Sequence, residues 1–158
     1  MRLNFLLLLL IVFTAVALSQ ELPCRVEIQS LNPPLPIPPR IALFLTSDSK
    51  NNVILSLQGR NWTTVPCASA LCPEGGSSID SVHGESVQFN GLNQPLTIAK
   101  TRKDSSQCWH FQGNANSVSI ISCKNKNAIA TGVGVGLKVL ARVRLLGSRQ
   151  QWAFHKTL

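Results

Sequence analysis

The side chains of this chain that could do covalent chemistry are few and scattered. Catalysis needs a nucleophile or an acid held beside a base. The three histidines are His83, His110 and His155. His110 follows Trp109 directly, and His155 comes three residues after Trp152. In strands, those odd offsets turn each imidazole away from its tryptophan and toward solvent. His83 stands alone in a glycine-containing loop. The seven Asp and Glu residues include no pair at a catalytic spacing. Neither His-Glu-x-x-His nor Gly-x-Ser-x-Gly occurs. Gly132-Val133-Gly134-Val135-Gly136 has the composition of a phosphate loop, but it leads into a strand and offers an anion no helix N-terminus. Cys67 and Cys72 lack a neighbouring histidine, which favours a disulfide over zinc. The expectation is a protein that is not an enzyme and uses neither metal nor cofactor.

Binding chemistry remains. Asn61-Trp62-Thr63 is an N-glycosylation sequon, placing Asn61 in a surface loop. Trp62 reads equally as a stacking face for a ligand or as a core residue. The formal net charge is +8. Lys100, Arg102 and Lys103 form one basic cluster, and Lys124, Lys126, Lys138, Arg142, Arg144 and Arg149 lie further on. Such charge reads either as solvated surface or as a face for anionic glycans, lipid headgroups or an acidic protein. Nucleic acid is not an expected partner, since no aromatic and basic residues interleave into a platform.

The chain opens like a secreted protein. Residues 1–19 have the plan of a signal peptide: Arg2, an apolar run over 5–18 too short to span a bilayer, and Ala17-Leu18-Ser19 as a cleavage site. No later segment is apolar enough to cross a membrane. Extracellular localisation makes the five cysteines candidates for disulfides. Cys67 and Cys72 could pair across a loop, and Cys108 with Cys123 across a strand-turn-strand, leaving Cys24 over. The sequence leaves the connectivity open. Residues 20–40 read as an arm whose proline-rich part, 32–39, is an extended polyproline II spacer.

The elements beyond it are all strands. Ile41–Leu45 and Val53–Leu57 flank a polar turn at 48–52. Val87–Phe89 and Leu96–Ala99 flank an Asn-rich turn at 90–94, and Val118–Ser122 and Ala128–Ala130 flank Lys124–Asn127. These define three units over about 41–84, 85–115 and 116–158. Val133 to Val143 alternates apolar and non-apolar residues, which predicts one strand with the odd positions in the core. Lys138 and Arg142 would then share its outer face, about 13 Å apart. Two units close on one pattern: Gln107-Cys108-Trp109-His110-Phe111 and Gln150-Gln151-Trp152-Ala153-Phe154.

Three β units, two of them closing in Gln-x-Trp, resemble the ricin B-type β-trefoil lectins over about 40–156. That resemblance implies a single β-trefoil domain, 41–158, with three four-stranded repeats forming a barrel with a hairpin cap. It also implies carbohydrate binding by a non-catalytic module. The family's sugar sites carry an early Asp and a stacking aromatic. The Asp positions fall here on Ser56, Thr97, and Ala130 or Thr131, and the first aromatic position falls near Val65. No unit keeps the set. A surviving site would use Ser56, Asn61 and Trp62, or lie near Gln107 or Gln150. The alternative is a protein-binding trefoil, a protease inhibitor or effector, presenting 59–76 as a loop closed by Cys67 and Cys72. In either case a basic polyanion face of Lys124, Lys126, Lys138, Arg142 and Arg144 is expected. The partner is a glycan or an extracellular protein, and the protein itself a monomer.

Overall fold

Alternating apolar residues along short segments separated by Gly, Asn and Pro give strands and nothing longer. The computed structural model describes residues 24–31, 42–145 and 148–157. The expected leader and the proline run lie outside these described residues. The strands are β1 (Cys24–Ser30), β2 (Leu43–Ser47), β3 (Val53–Ser56) and β4 (Trp62–Pro66). Then come β5 (Ser77–Asp80), β6 (Glu85–Gln88), β7 (Thr97–Lys100) and β8 (Trp109–Asn114). The last four are β9 (Ser117–Ser122), β10 (Ala128–Thr131), β11 (Leu140–Val143) and β12 (Trp152–Lys156).

Antiparallel pairing runs β1–β4, β4–β5, β5–β8, β8–β9, β9–β12 and back from β12 to β1. That ring is a closed barrel, which leaves no open sheet edge. The other strands form hairpins β2–β3, β6–β7 and β10–β11. Bridges Asn52–Thr97, Ile54–Lys138 and Pro95–Leu140 join the hairpins into a cap. The fold is a β-trefoil.

Threefold equivalence is clearest at the tryptophans. Trp62, Trp109 and Trp152 are each 0% exposed. Each begins the fourth strand of its unit. The three indole Nε1–H groups donate to Leu45 O at 3.0 Å, Val87 O at 3.0 Å and Ala130 O at 3.1 Å, each on the second strand of the same unit. A buried indole N–H finds its acceptor in this way, so the whole ring system can enter the core. A small residue makes room opposite: Ser122 pairs with Trp109 and Ser30 with Trp152.

This geometry corrects several expectations. Residues 24–30 are not part of an arm. Val26, Ile28 and Ser30 alternate inward, and β1 pairs with three other strands. The first unit therefore spans 24–66 and closes on Trp62, the second spans 77–114 and the third 117–156. The turn at Lys124–Asn127 joins the first and second strands of its unit, whereas 48–52 and 90–94 join the second and third. The third unit therefore lies one strand out of the frame that the sequence pattern predicts.

Val133 to Val143 is not one strand either. Gly136 has φ +68°, the left-handed conformation that Asn51 and Asn93 take at the other two hairpin tips. The chain turns there, leaving Val135 and Leu137 exposed while Val139 and Ala141 are buried. Lys138 bridges Ile54 just past this turn and Arg142 lies on β11, alternating with buried Val139 and Ala141, so the expected strand is shortened to the residues after Gly136. The cysteines pair Cys67–Cys108 and Cys72–Cys123, not across the short separations. Neither bridge includes Cys24.

Candidate functional site

The loop before each fourth strand organises the surface. In the second unit, Asp104 opens a one-turn 3-10 helix, Ser105–Gln107, by accepting from Ser106 N at 2.9 Å. Hydrogen bonds from Ser106, aided by the charges of Arg102 and Lys124, hold the Asp104 carboxyl below its ordinary value. Gln107 is then buried under the loop. Its Nε2 donates to Lys100 O at 3.0 Å and its Oε1 accepts from Arg102 N at 2.7 Å. Gln150 repeats this in the third unit, donating to Val143 O at 2.8 Å and accepting from Leu145 N at 2.9 Å. It also donates to Thr131 Oγ1 at 3.0 Å. These amides tie loop backbone groups to the buried base of the loop. In the first unit the loop is shorter, 57–61 against 101–108 and 144–151, and Arg60 stands where the glutamine would be. Arg60 lies over the Trp62 ring at 5.2 Å and faces Glu85 at 3.9 Å.

Two of these loops overhang clefts in corresponding places. The second-unit cleft encloses about 290 Å³. The third-unit cleft encloses about 330 Å³. Val65 and Pro66 in the first match Gln112 and Gly113 in the second, counted from Trp62 and Trp109. Ser78 matches Ser119, Ser86 matches Ile129, Thr101 matches Arg144, and Gln107 matches Gln150. The clefts share a place but differ in chemistry.

The second-unit cleft has an apolar wall of Val65, Pro66, Ala68 and Leu71, backed by the Cys67–Cys108 bridge. Facing it are Asp80, Ser86, Thr101 and Lys103. Ser86 Oγ donates to Asp80 Oδ1 at 2.7 Å and lies 2.7 Å from Thr101 Oγ1. The third-unit cleft has Leu145 as exposed apolar surface and buried Ile129 behind it, with Gln112, Ser117, Ser119, Arg144 and Gln151 as polar groups. A broader hollow of about 580 Å³ lies beside Gln88, Asn90, Arg102, Asp104 and Lys124. Its polar groups largely bond one another: Arg102 to Gln88 at 2.8 Å, Gln88 to Asn90 at 3.0 Å and Asn90 to Thr97 at 2.9 Å.

The candidate residues separate accordingly. Trp62 is core, so it presents no face for stacking. Gln107 and Gln150 line the two clefts, but their amides are spent on loop backbone. Ser56 is half-buried and accepts from Gln58 N at 3.2 Å, and Asn61 is exposed just before β4. Sequence reasoning missed Asp80, since it expected a carboxylate at the family's positions and not at the end of a first strand.

The basic residues have separate partners. Lys126 pairs with Glu74, and Arg144 donates to Gln112. Lys138 stands near Asp48, whose carboxyl is lowered by hydrogen bonds from Asn52 and, to a smaller extent, by that charge. Lys124 borders the broad hollow, and Arg142 pairs along β11 with Ile129. His110 Nδ1 meets Gly75 O at 2.7 Å and His155 Nε2 meets Gln29 Oε1 at 2.6 Å, while His83 is exposed. Among the described residues, no three His, Cys, Asp or Glu side chains gather as a metal site. No helix among them is long and apolar enough to cross a membrane.

The loop 67–76 is pinned at two points instead of being closed on itself. Cys67 is bonded to Cys108 just before β8, and Cys72 to Cys123 just after β9. Cys67 N donates to Gly76 O at 2.8 Å across the loop base.

No protein-family model and no curated protein matches the sequence. Solved structures do. The designed threefold-symmetric protein ThreeFoil matches with a TM-score of 0.64 at 12% identity, over 85% of this chain and 99% of that one. SeviL, solved bound to asialo-GM1 saccharide, matches with a TM-score of 0.62 at 11% identity, over 87% and 100%. A Culex salivary protein of the cysteine- and tryptophan-rich family matches with a TM-score of 0.60 at 15% identity, over 86% and 95%. At such identities the likeness is one of fold: the chain shares the complete β-trefoil architecture of these proteins.

Proposed function

We propose that the protein is a secreted, non-catalytic saccharide-binding module and that its site is the second-unit cleft. One observation carries this reading: the half-buried Asp80 carboxylate, held from behind by the buried Ser86 hydroxyl, lines a cleft that also has an apolar wall. A sugar ring offers hydroxyls at its edge and C–H groups on its face. A carboxylate accepts from sugar hydroxyls in charge-assisted hydrogen bonds, and Val65, Pro66 and Leu71 receive the apolar face. The cleft volume suits one sugar ring. Two disulfides and a leader-like N-terminus support an extracellular place of action. The saccharide-bound neighbour gives the reading a precedent on this fold.

A glycan array probed with wild type and Asp80→Asn tests it. Neutral glycans should bind wild type, and Asp80→Asn should weaken that binding about tenfold to a hundredfold, the worth of hydrogen bonds to a charged group. A silent array, or binding that ignores the substitution, defeats the proposal. Trp62→Ala is no probe of the site, because it opens a hole in the core.

The disulfide-pinned loop favours a second reading, protein binding. Ala68, Ser69, Ala70, Pro73, Glu74 and Gly75 are exposed on a backbone fixed by two bridges. A loop held rigid before binding loses little entropy on docking. A panel of secreted proteases separates the readings: inhibition lost when 68–71 is replaced by Gly-Ser residues supports this one, and no inhibition of any protease removes it.

A further inference from the structure

The third-unit cleft occupies the same place in its unit as the second-unit cleft, yet it carries a cation without the carboxylate. Asp80 and its hydroxyl partners have no counterpart there. Ile129 replaces Ser86, Gln112 replaces Val65, and Arg144 replaces Thr101. Among the described residues, no Asp or Glu lines this cleft. We propose that it is a second binding site, selective for saccharides that carry a carboxylate, such as a uronate. The proposal rests on the reading of the fold as a saccharide-binding module, but not on the second-unit site.

The geometry supports three roles. Gln112 Oε1 accepts from Arg144 Nη2 and so fixes one edge of the guanidinium. A guanidinium has five N–H donors in a rigid fork, so its remaining edge can hold a carboxylate through two parallel hydrogen bonds. Gln151 spans the floor, accepting from Ser117 Oγ at 2.9 Å and donating to Ser119 Oγ at 2.9 Å. These hydroxyls and amides can exchange partners with ring hydroxyls at little cost. Leu145, which is exposed, offers the apolar contact for the sugar face, and buried Ile129 backs the cleft. Gln150, bonded to Thr131, Val143 and Leu145, keeps the overhanging loop in place and does not itself reach the ligand. This arrangement is the opposite of the carboxylate-led site that the lectin resemblance implies.

Isothermal titration of the whole chain with glucuronate and with glucose tests the proposal. The two probes match in ring shape and differ in the carboxylate. Glucuronate should bind at least tenfold more tightly, and added salt should narrow the gap. Arg144→Gln should abolish the preference. Arg144 is exposed, so this variant keeps its fold, and unchanged thermal unfolding would confirm that. Gln112→Ala should reduce the preference by a smaller factor, because it frees the guanidinium without removing it. Equal binding of the two sugars overturns the inference, as does a preference that survives Arg144→Gln. Asp80→Asn distinguishes the two sites, since it should leave glucuronate binding intact. Glucuronate binding lost with Arg144 in a protein that ignores neutral glycans would sustain this site while removing the second-unit one.

Discussion

At the residue scale, the trefoil depends on how each unit closes its last turn. Gln107 and Gln150 each bond the carbonyl that ends a third strand and an N–H two residues further on. Gln150 adds a bond to Thr131. Replacing Gln150 by Leu removes three hydrogen bonds, one of them to the buried Thr131 hydroxyl, which costs about 2–4 kcal/mol. Arg60→Ala should cost less, about 1–2 kcal/mol, because it loses a part-buried hydrogen bond to Ser47, the contact over Trp62 and only a long, partly exposed ion pair with Glu85. Urea unfolding of both variants measures this, and equal losses would refute the role given to the glutamine. The glutamines were legible in the sequence because Gln-x-Trp occurs twice. Trp62 was not recognised as their third companion because Arg60 replaces the glutamine and the preceding loop is shorter. The available signal was spacing: Trp62 precedes Trp109 by nearly as much as Trp109 precedes Trp152. Asp80 was illegible for a different reason. Its partner Ser86 comes from the next strand and Ser86's own partner Thr101 from just past β7, and only the folded chain brings them together.

At the element scale, strands were legible where polar and apolar residues alternate, but their order within a unit was not. Cys24-Arg25-Val26-Glu27-Ile28-Gln29-Ser30 alternates as cleanly as any later strand. The proline run that follows it suggested an arm, although a trefoil can take its first strand from before such a linker. The third unit slipped by one strand because its Asn-rich turn precedes β10, while its true hairpin tip uses Gly136. The disulfides follow from the fold rather than from sequence proximity. The Cys67–Cys108 bridge spans 41 residues and the Cys72–Cys123 bridge 51, and each ties the loop after the first unit to a later one. Closing loops of that length removes chain entropy worth about 4 kcal/mol per bridge. Cys72→Ser/Cys123→Ser should therefore lower the unfolding free energy by roughly that amount. It should also make 68–75 the first segment cut in limited proteolysis. Unchanged stability and an intact loop in that double variant would show that the backbone bonds of 67–76 suffice without the bridge.

At the scale of the whole molecule, threefold repetition was the most legible property and charge distribution the least. Repetition shows in sequence as recurring strand-turn-strand segments, whereas a basic face depends on which loops fold beside one another. The net charge of +8 is spread over several elements. Of the five cations expected to form a polyanion face, Lys126 is paired with Glu74, Arg144 is bonded to Gln112, and Lys138 stands near Asp48. Lys124 and Arg142 belong to different parts of the third unit: the turn before β10 and the strand after it. We propose a diffuse polyanion attraction in place of a defined face. Charges separated on a surface act together only while screening is weak, and the screening length is about 8 Å at 0.15 M salt. The protein should therefore be retained on heparin at low ionic strength and elute before about 0.15 M salt. Replacing Lys124, Lys138 or Arg142 singly by Ser should each lower the elution salt by a small and similar step. Lys138→Ser/Arg142→Ser should lower it by no more than the sum of its two steps. Retention that persists well above that salt, or that disappears with one substitution, would mean that these cations converge on a single site after all.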